Sequence, residues 1–421
     1  MERKLEDQMN IIFVTIAYPN NLNESNIYSD LMEEFASQGH NIYVVCSTEK
    51  RYNKETYLDR TSIIKILRVK TGNIKSNPNL ITKGLALLSF QGKIIASIKK
   101  YLPSISFDLI LYSTPPIQYN KIIKYLRSKS QAYTYLLLKD IFPQNAIDLN
   151  LINKWNPIYY YFRKKEKETY KLSDRIGCMS EANMKYILKH NPFISPNKVE
   201  VCPNSLRKGD FPDENERKAI RNKIRNSLFI SEEDLLLIYG GNLGIAQGLD
   251  FLLNIFDALS NCNKVKILIV GDGTEYSKIK LHLNNHSYHN VTLLTRISPD
   301  LFKEMLFAAD FGLIFLDSRF TIPNFPSRLT SYLNAGLPVI SCTDNVCDVG
   351  EIIEKEECGF KVLSGDIERF ISIIKYIQNN PLLLKQMSIN AKLLFEKEYT
   401  TIVSYNIIMK NLNELYLILM Q

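Results

Sequence analysis

The stretch YGGNLGIAQGLDFLLNIF, Tyr239 to Phe256, follows directly on the apolar run LLLI at 235–238. A run of that kind reads as a buried strand, and DFLLNIF carries its apolar residues at helical spacing. Between them stand Gly240, Gly241, Gly244 and Gly248. Small residues at a strand-to-helix junction let the backbone come close to something, either a bound phosphate or the chain itself in a tight turn. In the first case, free N–H groups of the loop and the positive end of a helix starting near Gln247 suit a diphosphate. The loop matches neither the dinucleotide fingerprint nor the lysine-containing phosphate loop, which argues against a dehydrogenase or an ATPase.

Working outward, the same alternation repeats on both sides. Downstream, KVKILIVGDG (264–273), NVTLLT (290–295), FGLIFL (311–316) and LPVISC (337–342) read as strands, most of them followed by helices. Upstream, NIIFVTI, NIYVVCS, FDLILYSTPP, AYTYLLLKDIFP, RIGCMS and VEVCPNS form a first strand series with helices between them. The two series meet in the charged, apolar-poor LRKGDFPDENERKAIRNKIR, so a domain boundary falls near residues 203 to 212. The expected fold is α/β: residues 1–205 one Rossmann-like domain, 206–395 a second, and 396–421 a helical segment packing across both. Parallel sheets of this class bind ligands at the carboxyl ends of their strands, where AYPNNLNES, YSTPP, LKDIFPQNA, the glycine loop, VGDGTE and FPSRLTSYLNAG fall.

Length agrees with two domains, since 421 residues exceed one hydrophobic core. The charged start MERKLEDQ, followed at once by a strand, is not a signal-peptide pattern, and no apolar run approaches a membrane span, so the expected location is the cytoplasm. Seven cysteines without CxxC spacing read as free thiols. The net charge of +8 is uneven: residues 1–200 hold 29 Lys and Arg against 18 Asp and Glu, and the remainder 23 against 26. A basic first half suits an anionic membrane surface or a phosphorylated substrate. Lys99, Lys100, Arg163, Lys164 and Lys165, near aromatic residues, mark a peripheral site on the inner face of the cell membrane, and no nucleic-acid module accompanies them.

GGNLGIAQGLDFLL, KILIVGDGTEYSKI and FPSRLTSYLNAGLPVISC, in this order and spacing, resemble the nucleotide-sugar half of family 4 glycosyltransferases of GT-B architecture. Within that family the chain is similar to bacterial capsular, exopolysaccharide or O-antigen enzymes, the group containing N-acetyl-fucosamine transferases; LLLKDIFPQNAIDL and IGCMSEANMKYILKHNP resemble their first-domain segments. The resemblance implies two Rossmann-like domains facing across a cleft. It also implies transfer, with retention, from a nucleotide diphosphate sugar to a polyprenyl diphosphate-linked glycan. The donor implied is a UDP-linked N-acetylated hexose or deoxyhexose, and no cofactor or metal is required. The chain departs from the family where paired glutamates are common: Pro323 and Ser331 stand there, and Gln247 replaces a basic residue of the glycine loop. A UDP-sugar epimerase or hydrolase of the same form, and an inactive glycan-binding scaffold, are the alternatives.

The donor-binding candidates are Gly240, Gly241, Asn242, Gly244, Gln247, Gly271, Asp272, Gly273, Ser327 and Ser331, with Arg328 positioned to neutralise charge on the leaving nucleotide. Asp140, ending an apolar strand, suits the orientation or deprotonation of an acceptor hydroxyl, with Lys139, Glu24 and Asn26 as acceptor contacts. His282, His286 and His289 share a helical spacing but lack an acidic or cysteine partner and read as a solvated helix end.

Overall fold

In the computed structural model, residues 8–20, 24–60, 63–73, 80–209 and 211–419 are described. They fall into two compact units: Met1–Ile147, Ile152–Arg207 and Thr401–Gln421 make one, and Asp148–Leu151 and Lys208–Thr400 the other.

The first unit is built on eight strands: β1 Asn10–Val14, β2 Asn41–Glu49, β3 Tyr57–Asp59, β4 Lys65–Thr71, β5 Leu109–Thr114, β6 Tyr133–Leu138, β7 Arg175–Cys178 and β8 Val199–Val201. Their order in the sheet is β3-β4-β2-β1-β5-β6-β7-β8. All neighbours are parallel except β3 with β4. Central strands such as NIIFV and YTYLLL are almost wholly apolar because helices cover both of their faces. The chain leaves β1 towards β2 on one side and returns to β5 on the other, so the sheet's topological switch lies between β1 and β5. Strands β3 and β4 are absent from the sequence-based series. KILRVKT interleaves basic and apolar residues like a surface strand, yet Arg68 is buried and donates from Nη2 to the Pro19 carbonyl at 2.5 Å.

The second unit continues with β9 Leu235–Asn242, β10 Val265–Asp272, β11 Val291–Leu294, β12 Phe311–Phe315, β13 Val339–Thr343 and β14 Gly359–Leu363. They form a parallel sheet of order β11-β10-β9-β12-β13-β14. Here the switch lies between β9 and β12, beside the glycine-rich loop. Leu237, Tyr239, Ile267, Ile269, Leu313 and Phe315 from the sheet pack against Phe251, Leu252, Ile255 and Phe256 of the helix Asp250–Ala258.

The end of the chain does not form one segment. The helix Pro381–Glu398 stays with the second unit, whereas Thr401–Leu419 joins the first, where Tyr405 packs edge-on to Phe35 and Ile408, Met409 and Leu412 enter the core.

Inside the second unit a charged group anchors the sheet. Arg225, 1% exposed, bonds Asp310 Oδ2 through Nη2 at 2.7 Å and donates to the Ser231 and Asp234 carbonyls. Asp310 also accepts from the Leu236 N–H at 2.7 Å and from Arg221 at 2.8 Å. Asp310→Ala strands the Arg225 charge in the interior, a loss on the order of 3–5 kcal/mol. The expected result is a clear fall in the midpoint of thermal unfolding of the full chain.

Candidate functional site

The exits of β9 and β10 run so close together that side chains are excluded between them. A Cβ on Gly271 would lie 1.9 Å from the Gly241 carbonyl oxygen, and one on Gly273 would lie 2.3 Å from that of Leu243. A Cβ on Gly240 would lie 2.1 Å from the Phe302 ring, and one on Gly248, at φ +56°, 2.8 Å from the Asp317 backbone. These four glycines serve the packing of the chain on itself. Gly241 differs. At φ +121°, a Cβ built on it would meet only the Arg328 guanidinium, at 3.7 Å, so the loop is least crowded by its own chain here.

Several N–H groups expected to be free are already engaged. Gly240 donates to the Tyr332 hydroxyl at 3.0 Å, Leu243 to the Asp272 carbonyl at 2.9 Å, and Gly244 to Gln247 Oε1 at 2.9 Å. Gln247 also accepts from Asn242 Nδ2 at 3.2 Å, and Asp272 Oδ1 accepts from the Gly273 N–H at 2.8 Å. The helix begins at Asp250, three residues past Gln247, which ends a 3-10 turn, Ile245–Gln247; Gly248 in left-handed conformation turns the chain between the two.

Arg328 opens the short helix Arg328–Asn334, preceded by exposed Ser327; Ser331, half-buried, lies one turn on. Its guanidinium sits over the Tyr239 ring, 4.2 Å from the centroid, and its Nη1 is shielded and has no hydrogen-bond partner. A planar cation over an aromatic face, with Nη2 towards Gly241 and Nη1 without a partner, is suited to phosphate oxygens. Tyr239 and Tyr332 are the residues missed from sequence. Both border recognised motifs, but an aromatic at a strand end or on a helix reads as core. Asp344, just past β13, was missed too: Oδ1 accepts from the Val346 and Cys347 N–H groups at 2.9 Å, Oδ2 is unpartnered, and burial pushes the carboxyl up to about 6.

In the first unit Asp140 follows β6. Asn145 Nδ2 donates to its Oδ2 at 2.7 Å, and its Oδ1 is shielded without a partner. Burial pushes this carboxyl up to about 6, against the lowering effect of the Ile141 N–H and Asn145 bonds. Burial also brings the neighbouring Lys139 down to about 8. Asn26 is committed to the start of the helix Ser29–Ser37, its Oδ1 accepting from the Tyr28 and Ser29 N–H groups at 2.8 and 3.0 Å. Glu24 is exposed, and its carbonyl accepts from Ser29. His282 and His286 lie tilted to one another near the end of the helix Tyr276–Asn285, where His282 meets the Tyr288 hydroxyl at 2.9 Å and, against the sequence reading, an acidic partner in Asp257 at 3.3 Å. Among the described residues no group of three His, Cys, Asp or Glu is placed to hold a metal ion.

Residues 220–394, within the second unit, match the model of the family Glycosyl transferases group 1. With this match and the fold, the chain is a glycosyltransferase-type enzyme of GT-B fold, with two Rossmann-like domains. The match overturns the placement in family 4 beside N-acetyl-fucosamine transferases and relates the second unit to Glycosyl transferases group 1 instead. Its glycine segments are ones that close strand packing demands, and they do not mark a numbered family. A curated relative, a probable glycosyltransferase WbjE of Pseudomonas aeruginosa, is 22% identical over 297 residues, 69% of this chain and 71% of its own. Among solved structures, sucrose-phosphate synthase of Thermosynechococcus elongatus superposes with a TM-score of 0.74 at 15% identity, covering 98% of this chain and 99% of its own. HepE of Anabaena, solved with UDP-glucose, superposes at 0.68 and 14% identity, covering 97% and 100%.

The Asp140 shift has a testable sign. Below pH about 4 the carboxyl is protonated folded and unfolded; between the ordinary aspartate value and about 6 the unfolded chain ionises first, so stability falls as pH rises through that window. Asp140→Asn is expected to flatten that part of a urea-unfolding series. Lys139 acts oppositely: stability rises from about pH 8 towards the ordinary lysine value, because there the unfolded chain holds the extra proton.

Proposed function

We propose that the chain transfers a sugar from a UDP-linked donor, held by the second unit, to a hydroxyl of a polyprenyl diphosphate-linked glycan held by the first. Supporting the donor is the one observation that carries the reading: the Arg328 guanidinium, set over the Tyr239 ring beside Gly241, with its Nη1 lacking a partner. Cleavage of the bond between the anomeric carbon and the phosphate oxygen loads negative charge on the departing diphosphate. A preorganised guanidinium neutralises that charge as it grows, without reorganising at the moment of reaction. HepE, a fold relative solved with UDP-glucose, supports the choice of nucleotide. Supporting the lipid-linked acceptor is the excess of positive charge on residues 1–200. With its proton lost above about pH 6, Asp140 is suited to accept a hydrogen bond from the acceptor hydroxyl and draw off its proton during transfer. Neither Pro323 nor Ser331 can supply the carboxylate that often holds the donor ribose, so this role passes to other groups of the second unit.

Calorimetry of the full chain with UDP, and with other nucleoside diphosphates for comparison, tests the reading, and absence of binding to any of them at millimolar concentration overturns it. Arg328→Ala is expected to weaken UDP binding by about 10- to 100-fold, the range for a charge-assisted phosphate contact, with the circular dichroism spectrum unchanged. Transfer is expected to rise with pH through about 6, with Asp140→Asn abolishing the rise and sparing UDP affinity. Release of free sugar or an isomer without acceptor, as fast as with it, would instead identify an epimerase or hydrolase.

A further inference from the structure

The helix Pro157–Leu172 and the turn before it carry an apolar surface that nothing in the first unit covers. Trp155 is 84% exposed, Ile158 52%, Tyr160 57% and Tyr161 44%. This tryptophan is the only one in the 421-residue sequence, and a residue that is usually well buried stands almost fully in solvent. The helix is otherwise firmly seated. Its Glu166, Thr169 and Tyr170 are buried, Phe162 packs edge-on to Phe142, and Asn156 caps its first turn by accepting from the Ile158 N–H at 2.9 Å. The outer stripe is therefore held in place by the inner one.

Charge on the same stripe follows a pattern different from the sequence expectation. Arg163 turns inward, pairing with Glu166 and donating from Nη2 to the His190 carbonyl at 3.0 Å and to Asn191 Oδ1 at 2.8 Å. Lys165 is paired with Glu168 at 2.8 Å. That leaves Lys154, Lys164 and Lys167, all exposed and with no ion pair among the described residues. Tyr160, Lys164, Lys167 and Lys171 succeed one another at helical spacing, which aligns a tyrosine and three lysines along one outer line.

We propose that Trp155, Ile158, Tyr160 and Tyr161, with Lys154, Lys164 and Lys167, form the surface by which the first unit docks on an anionic phospholipid bilayer; this rests on the reading of a lipid-linked acceptor. Tryptophan and tyrosine have an apolar body and a polar edge, which is the combination the bilayer–water boundary accommodates. Unpaired lysines beside them meet anionic headgroups, and their long stems let the ammonium groups stay at headgroup level while the rings enter. No described helix is long and apolar enough to cross a membrane, so this attachment is reversible and lies in the interface.

The lone tryptophan reports the contact directly. The full chain is titrated with vesicles of phosphatidylcholine alone and of phosphatidylcholine with phosphatidylglycerol, at low and high salt. Expected on the anionic vesicles are a shift of Trp155 emission to shorter wavelength and protection from an aqueous quencher, both reduced by salt. Replacing Ile158, Tyr160 and Tyr161 together by serine is expected to raise the lipid concentration for half-binding about tenfold or more, with UDP affinity unchanged. The proposal is overturned if Trp155 does not respond to anionic vesicles while UDP still binds, or if the triple variant sediments with vesicles as well as the parent chain. It is also overturned if the emission is already at short wavelength without lipid and a dimer is present that the triple variant dissolves, since the surface is then covered by a second copy. Loss of UDP binding with an intact vesicle response sinks the transfer reading and leaves the docking surface standing.

Discussion

The second unit depends on how closely two parallel strands approach at their exits. With β9 and β10 in register to Asn242 and Asp272, the Gly241 carbonyl occupies the space that any side chain at 271 would need. Everything around the candidate donor site inherits that spacing. Leu243 turns back to bond Asp272, Gly244 and Gln247 close a small ring, and Gly248 lets the chain pass over the Asp317 backbone into the helix from Asp250. With the loop's own polar groups mostly satisfied within it, recognition falls to what projects over it. Arg328 projects there, its guanidinium 4.2 Å from the centre of the Tyr239 ring.

Away from the glycines, charged side chains in the interior perform a similar service. Asp30, 1% exposed, accepts from Ser25, Asn26 and the Arg207 N–H, fixing the entry of a helix against the segment that follows β8. Arg68 holds the loop after β1 by its carbonyls. Asp310 and Arg225 tie the start of β9 to the turn before β12. In each case the ion bonds backbone groups that an exit or entry loop cannot pair within itself, and leaving those groups buried and unpaired would cost more than burying the ion with its partners.

Most of the architecture was legible because buried parallel strands are nearly pure apolar runs punctuated by glycine and proline. LLLIYGG, ILIVGD and YTYLLL announce themselves. What stayed hidden were elements whose partners lie far off in sequence. KILRVKT shows no such run because the partners of Arg68 are carbonyls some fifty residues earlier. The placement of Arg328 near the glycine loop was legible from motif order, but the stacking on Tyr239 and the occupation of the loop N–H groups were not, since both are set by side-chain directions that no spacing encodes. Likewise Arg163 looked like a lipid contact until its partners at 166, 190 and 191 were seen to claim it.

Because Thr401–Leu419 completes the core around Phe35, the first unit is discontinuous along the chain. During synthesis the sheet of this unit emerges well before the helix that packs on it, which follows the whole second unit. The usual order of N-terminal domain first and C-terminal domain next therefore does not apply. The second unit has all of its residues once Thr400 is made, while the first still waits with an uncovered apolar face for the helix from Thr401. A nascent chain stalled near residue 400 would carry a finished second unit and an unfinished first, the condition in which holdase chaperones are most needed.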